Sequence, residues 1–395
     1  MPDNWLMIWP SSKSERPDAT CNKMKNQLSN DPSFSERRAF LRQSIALLPL
    51  LGACLPSFSA QQQSCPDARY RMTFASPYDS DLWLSSPHMH QQLKHNIEDF
   101  SNGKICVEIR DKGKQGVGHE LAVQVSRGTI QGALLSVSNL SPIVPKVDIL
   151  NIPFWAAQPQ SYLNLITSKL WQQQVSDQIR TQSKVAILLY HLPGARTLTS
   201  TRHYGKLLKT PSDIADVIFR VPASRVLRQF YKLCGTTPVQ VAWKKAAMLA
   251  ESKRFDALDP SVTGLYNGPN GLNRHIGGVS LINSVQDGWV SVVNQQWLTS
   301  LPRKLRIAVW EGAQKTFVQH LPMAHQAELY CQRGLLKNGA TIYYPSADEV
   351  AAWQDIGGYQ RREWYATKVA LLGKASTFDA FVAATQVNNG LTFPT

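Results

Sequence analysis

The chain has few of the features that signal chemistry. Its 395 residues contain no Walker loop, Gly-x-Gly-x-x-Gly fingerprint, Gly-x-Ser-x-Gly elbow or His-Glu-x-x-His helix. That removes the usual grounds for proposing a nucleotide- or dinucleotide-binding enzyme, a serine hydrolase or a zinc protease. Cysteine is scarce, six in all, and no Cys-x-x-Cys occurs, so neither a zinc ribbon nor a thioredoxin-like redox pair is present. Charged residues are only 18% of the chain. Acidic groups are outnumbered, giving a formal charge of +14, yet Lys and Arg are dispersed and no aromatic-interleaved basic patch appears. This excludes nucleic acid as a partner and favours small anions or an acidic partner. Histidines 88, 90 and 95 are the only local cluster, and the pair at i, i+2 cannot share a helical face, so they read as an ordinary helix start and no metal is expected.

What is present begins with a leader. Residues 1–60 hold seven basic and five acidic residues, so the remainder carries +12 and is itself basic. Glu36-Arg37-Arg38-Ala39-Phe40-Leu41-Arg42 precedes an uncharged stretch at 43–64 whose apolar centre, 45–58, is too short to span a bilayer. The paired arginines followed by Phe-Leu resemble a twin-arginine export signal, which implies a periplasmic destination. Two ends of the leader stay open: a lipoprotein-like box at 51–54, which would lipidate Cys54, and a small-x-small site at 57–59, which gives the soluble product expected here. Residues 1–34 lie ahead of the signal, and Met24 begins a more ordinary leader. Beyond it remain Cys65, Cys106, Cys234 and Cys331, an even number in an oxidising compartment, with Cys65 and Cys106 the expected bridge.

The remaining length suits two lobes of roughly 130–190 residues. Strands are expected at 71–75, 105–109, 132–137, 148–153, 185–191, 217–221 and 239–242, alternating with helices at 86–100, 119–127 and 224–234. The alternation indicates parallel, βαβ-type sheets. A helix at 302–319 should break or kink at Pro322 and resume over 323–336, with further helices at 363–372 and 378–386.

One residue in this pattern is out of place. Arg220 sits in Asp-Val-Ile-Phe-Arg-Val-Pro (216–222), a strand of buried character, and no acidic residue lies between it and Glu251. A buried guanidinium is costly unless an anion pairs with it, and its planar fork suits a carboxylate. A strand-end arginine that snorkels to water, or pairs with a distant Asp, is the alternative. Arg196, just after the apolar strand at 185–191, stands where open α/β sheets place ligands. Trp243 follows the strand at 239–242 and can form an apolar wall or belong to the core.

The order of these segments resembles the solute-binding component of tripartite ATP-independent periplasmic (TRAP) transporters, of the C4-dicarboxylate-binding type. The likeness runs from about residue 71 to 339. It rests on KGKQGVGHELAVQVSRGTIQGAL (112–134), NIPFW (151–155), GARTLTSTR (194–202), PSDIADVIFRVP (211–222), LCGTTPVQVAW (233–243), FDALDPS (255–261) and SLINSVQDGW (280–289). It implies a two-lobed, hinged α/β binding protein, each lobe a mixed sheet flanked by helices, braced by a long helix. Lobe I would comprise 66–193 plus about 286–325, and lobe II 194–285 plus about 326–395. By the same likeness Arg220 grips a ligand carboxylate, Arg196 assists, Trp243 walls the pocket, and closed protein docks on a membrane permease. Pro222 and Asn139 are counted with the ligand-lining residues. The family often reads Asp-Gly-x-Glu-Asn-Pro where this chain has 256–261, so Pro260 replaces a ligand-facing Asn with Asp259 beside it. An Asp there repels a carboxylate unless it meets a hydroxyl or a cation. The expected function is capture of a small organic anion by a monomer without cofactor or catalysis. A sensory or interaction protein on the same fold, or a periplasmic enzyme using the cleft, are the alternatives.

Overall fold

The structure is a computed structural model that describes residues 65, 68–82 and 84–394. The leader, with Arg37, Arg38 and Cys54, lies outside the described residues. Eleven strands follow in chain order: β1 (Tyr70–Ala75), β2 (Ile105–Arg110), β3 (Gly132–Ser136), β4 (Val185–His191), β5 (Leu198–Thr201), β6 (Ile218–Val221), β7 (Thr237–Gln240), β8 (Ala257–Leu258), β9 (Ile276–Ser280), β10 (Trp289–Asn294) and β11 (Thr341–Tyr343). They form two sheets, ordered β2-β1-β3-β10-β4 and β11-β9-β5-β8-β6-β7. In the first, β1, β2 and β3 are mutually parallel and β10 runs antiparallel to both β3 and β4. In the second, β6 is parallel to β7 and β8, while β5 is antiparallel to β8 and β9. Both sheets are therefore mixed, not purely parallel as the alternation suggested.

β4 is apolar along its whole length and fully buried, yet it is an edge strand, covered on its faces by helices. The expected strand at 148–153 is instead a 3₁₀ segment, Pro145–Asn151. Pro145 suits the first turn of such a segment. The buried carboxylate of Asp148 accepts from the Ser224 hydroxyl at 2.6 Å and from the N–H groups of Arg225 and Val226 at 3.0 and 3.2 Å. It thus caps the helix Arg225–Leu233, which follows β6, reaching from the first sheet's segment to the second's. Asp148→Ala should cost about 2–3 kcal/mol, because these three donors and the Asn151 amide lose a buried acceptor. The urea unfolding midpoint checks this, with the full cost expected at neutral pH.

The expected break at Pro322 is absent, and one helix runs unbroken from Arg303 to Lys337. At 1.5 Å per residue it is about 52 Å long. Pro322 removes only the bond to the Val318 carbonyl, and Val318 is exposed, so water can take that role. The helix touches elements of both sheets, at one glycine for each. A Cβ on Gly312 would lie 2.8 Å from the backbone nitrogen of Ile97, in the helix His90–Phe100, and one on Gly334 would enter the ring of Tyr266. The C-terminal helix Ala375–Ala384 packs back on the first sheet's side, with Phe378 4.7 Å from Trp155 and Phe381 5.3 Å from Trp171.

Cys65 and Cys106 are disulfide-bonded, tying the segment before β1 to β2, while Cys234 and Cys331 are free and buried. The bridge closes a loop of 41 residues. By loop entropy its removal should cost about 4 kcal/mol. A Cys65→Ser/Cys106→Ser double variant should therefore unfold at markedly lower urea, with reductant having no further effect on it.

Candidate functional site

The chain crosses between the sheets after β4 and again before β10. These two crossovers lie side by side, Arg196 N–H donating to Val285 O at 2.7 Å and Asp287 N–H to Gly194 O at 3.0 Å. Arg196 rides on one crossover and Asp287 on the other. Around them the carboxyl ends of parallel strands from both sheets converge, the position where open α/β sheets hold ligands. Tyr78 follows β1, Ser136 ends β3 and Asn139 follows it, Arg220 lies near the end of β6 and Pro222 just after it, Trp243 follows β7, and Asp259 and Pro260 follow β8. Tyr78, Ser136, Asn139, Arg196, Arg220, Pro222, Trp243, Pro260, Asp287 and Trp289 line one cavity of about 20 Å³. That volume holds about one water, so a carboxylate can enter only when the sheets part.

Arg220 is 2% exposed. Its Nε and Nη2 both donate to the Val241 carbonyl, at 3.2 and 2.9 Å, and its guanidinium carbon lies 5.1 Å from the centre of the Trp243 ring. Phe219 and Val221 on either side are fully buried, so the strand keeps Arg220 inside the molecule, facing only the cavity. Among the described residues it makes no ion pair. Burial pushes it down to about 10, only partly opposed by Asp259, so it remains a cation at neutral pH.

Arg196 is held differently. Nη1 lies 3.2 Å from Asp259 Oδ1, and Nη2 lies 2.7 Å from Asp287 Oδ1 and donates to Ser138 Oγ at 3.1 Å. A buried chain continues from Ser138 to Asn151 and on to Asp148. Arg196, expected as a second cation beside Arg220, is already matched by two carboxylates. Asp259 is wholly buried, and desolvation raises its pKa against the pull of Arg196 and Arg220. Its Oδ2 accepts from the Tyr231 hydroxyl at 3.3 Å, while Asp287 Oδ2 accepts from the backbone and hydroxyl of Ser261 at 3.1 and 3.0 Å.

Sequence reasoning missed Asp287, Tyr78 and Trp289. The signal for Asp287 was its place in VQDGW ahead of an apolar strand, but its partner Arg196 stands 91 residues away in sequence. Behind Tyr78 and Trp289 lies a second surprise. His88 stacks on Tyr78 at 4.5 Å and joins His90, His191 and His320 in one buried group, with ring centres 5.2–6.1 Å apart. His95 is exposed and takes no part. His320 accepts the Leu192 N–H at Nε2, so its Nδ1 carries the proton given to Pro87 O. Burial holds all four well toward the neutral form, His90 and His320 at about 4.

Two mixed sheets, joined by paired crossovers, spanned by one long helix and facing a charged cavity at their strand ends, define a two-lobed ligand-binding protein. The model of the DctP family, bacterial extracellular solute-binding proteins of family 7, matches residues 87–368, and the chain belongs to that family. A curated relative, the C4-dicarboxylate-binding protein DctB of Bacillus subtilis, is 23% identical over 171 residues, 43% of this chain. The matched part spans about half (47%) of that relative's length. Among solved structures, the sugar acid binding protein DctPAm of Advenella mimigardefordensis, in complex with galactonate, superposes with a TM-score of 0.71 at 15% identity, covering 81% of this chain and 98% of that one. A TRAP periplasmic solute binding protein of Shewanella oneidensis with bound succinate gives 0.71 at 17% identity over 80% and 100%. One from Desulfovibrio salexigens with bound orotic acid gives 0.72 at 15% over 80% and 99%. Among the described residues, no helix is long and apolar enough to cross a membrane.

Proposed function

We propose that this chain captures a small organic carboxylate between its two sheets and delivers it to a TRAP-type membrane permease in the periplasm. The observation that carries this is Arg220: a buried cation on a cavity wall, between strand ends, with no carboxylate of its own. In this reading Arg220 is the anchor and Arg196 assists by fixing Asp259 and Asp287 beside the cavity. Trp243 holds the Arg220 plane, and Pro222 and Asn139 complete the lining. The carboxylates bound by solved relatives, succinate and galactonate among them, support the ligand class.

The lobes divide at the paired crossovers, with 66–193 and about 286–325 in lobe I and 194–285 and about 326–374 in lobe II. The last helix, 375–384, returns to lobe I. Export follows the twin-arginine leader, giving a soluble product not lipidated at Cys54, and binding is the whole activity, with no covalent step.

Thermal-shift screening of organic acids tests the reading. A true ligand at 100 times its dissociation constant should stabilise the protein by about 2.7 kcal/mol. A flat response to every carboxylate, amino acids included, overturns it.

A further inference from the structure

With both carboxylates ionised, as their contacts with the Arg196 guanidinium favour, the buried charges of the site sum to zero before any ligand arrives. Arg196 and Arg220 contribute two positive charges, and Asp259 and Asp287 two negative ones, all four at most 3% exposed. Tyr78, Tyr162 and Tyr231, which bear on them, are held in the phenol form by burial. The four are not evenly matched. Arg196 is shared by both aspartates, so that trio carries a net negative charge, and Arg220 balances it only at a distance. A plain monocarboxylate on Arg220 leaves the closed, desolvated site at −1, and a dicarboxylate leaves it at −2, a costly state for buried ions.

The aspartates also have unused capacity. Oδ2 of each is bonded by Tyr231 or Ser261, whereas Oδ1 of each is buried and meets only the Arg196 guanidinium, at 3.2 Å for Asp259 and 2.7 Å for Asp287. Asp287 lines the cavity itself. An ammonium brings three donors and the missing positive charge. The aromatic rings of Tyr78 and Trp289, on the same cavity wall, also tolerate a cation.

We propose that the ligand is a zwitterionic amino carboxylate, with its carboxylate on Arg220 and its cationic nitrogen toward Asp287. This rests on the carboxylate-binding reading above and narrows it to ligands of zero net charge.

Calorimetry at pH 7.5 on the full chain, with matched pairs, tests it: alanine against propionate, γ-aminobutyrate against butyrate, and leucine against 4-methylpentanoate. In at least one pair the amino member should bind at least 100-fold more tightly than its counterpart. Asp287→Asn should erase most of that preference, and Asp259→Asn provides a second variant if the first does not fold. Equal or tighter binding of the plain acids overturns the zwitterion assignment and leaves carboxylate capture standing. That holds whether or not buffers of different ionisation heat reveal proton uptake. Binding of neither member of any pair, together with a flat organic-acid screen, overturns the carboxylate reading itself.

Discussion

Arg220→Lys is expected to weaken ligand binding at least about 100-fold, a loss of about 2.7 kcal/mol. In the folded chain the Arg220 fork already spends Nε and Nη2 on the Val241 carbonyl, and among the described residues Nη1 donates to nothing. A planar guanidinium can keep that anchor and still present an edge to a carboxylate. A lysine ammonium, with one nitrogen on a flexible stem, cannot do both. The stability side of the same prediction is sharper. Arg220→Met removes a buried cation that no carboxylate touches but that offsets the net negative trio of Arg196, Asp259 and Asp287, so the two effects oppose and the ligand-free melting temperature should stay within a few degrees while binding disappears. Isothermal titration and thermal melts on the two variants check both halves. A variant that loses stability and affinity together would make Arg220 a structural cation of the second sheet.

Acid should destabilise this protein steeply. Histidines 88, 90, 191 and 320 are buried and meet in tilted and edge-on ring contacts, so burial and their mutual repulsion disfavour a proton on any of them. In the unfolded chain each takes a proton near its ordinary value of 6.5, whereas in the fold His90 and His320 wait until about 4. The unfolded state therefore binds more protons below pH 6.5, and stability falls as pH drops from about 6.5 toward 4. By pH 5 each such histidine costs about 2 kcal/mol relative to pH 8. Glu328 acts in the opposite sense. Burial pushes its carboxyl up to about 7, so the fold holds its proton first, which offsets roughly one histidine. The net expectation is several kcal/mol, with a melting curve flat from pH 8 to 6.5 and a drop on the order of 10 °C or more by pH 5. Replacing His191 with Gln should flatten the descent, and an unchanged descent would remove the cluster from the account.

The parts of this protein legible in the sequence are those whose signal is local. Arg220 could be read because a charge interrupts an apolar strand whose neighbours are β-branched or aromatic. β4 could be read because seven buried residues run without a break, although nothing local marked it as an edge. The helix Arg225–Leu233 declares its start at Ser224 and its end at Gly235, where φ is +83°. Pro322 misled because a proline deletes one hydrogen bond, and a long helix packed on both sheets keeps its remaining ones. The segment around Asp148 misled for a different reason. Its apolar residues do face the core, but its carboxylate serves a helix 76 residues further on. Asp287 and the histidine group were illegible because their meaning lies in convergence: His88 and His320 meet only once the long helix is laid across the first sheet. Arg196, expected just after β4, lines the same cavity as Arg220, but its charge balance depended on two aspartates that spacing alone does not bring together.

The most direct test is a crystal structure of the protein with a carboxylate identified by binding. Capture at Arg220 requires a carboxylate oxygen about 2.7–2.9 Å from the Arg220 guanidinium, with the Val241 contact retained and the ligand enclosed between the strand ends of both sheets. A carboxylate bound elsewhere, with Arg220 still holding only the Val241 carbonyl, would contradict the account.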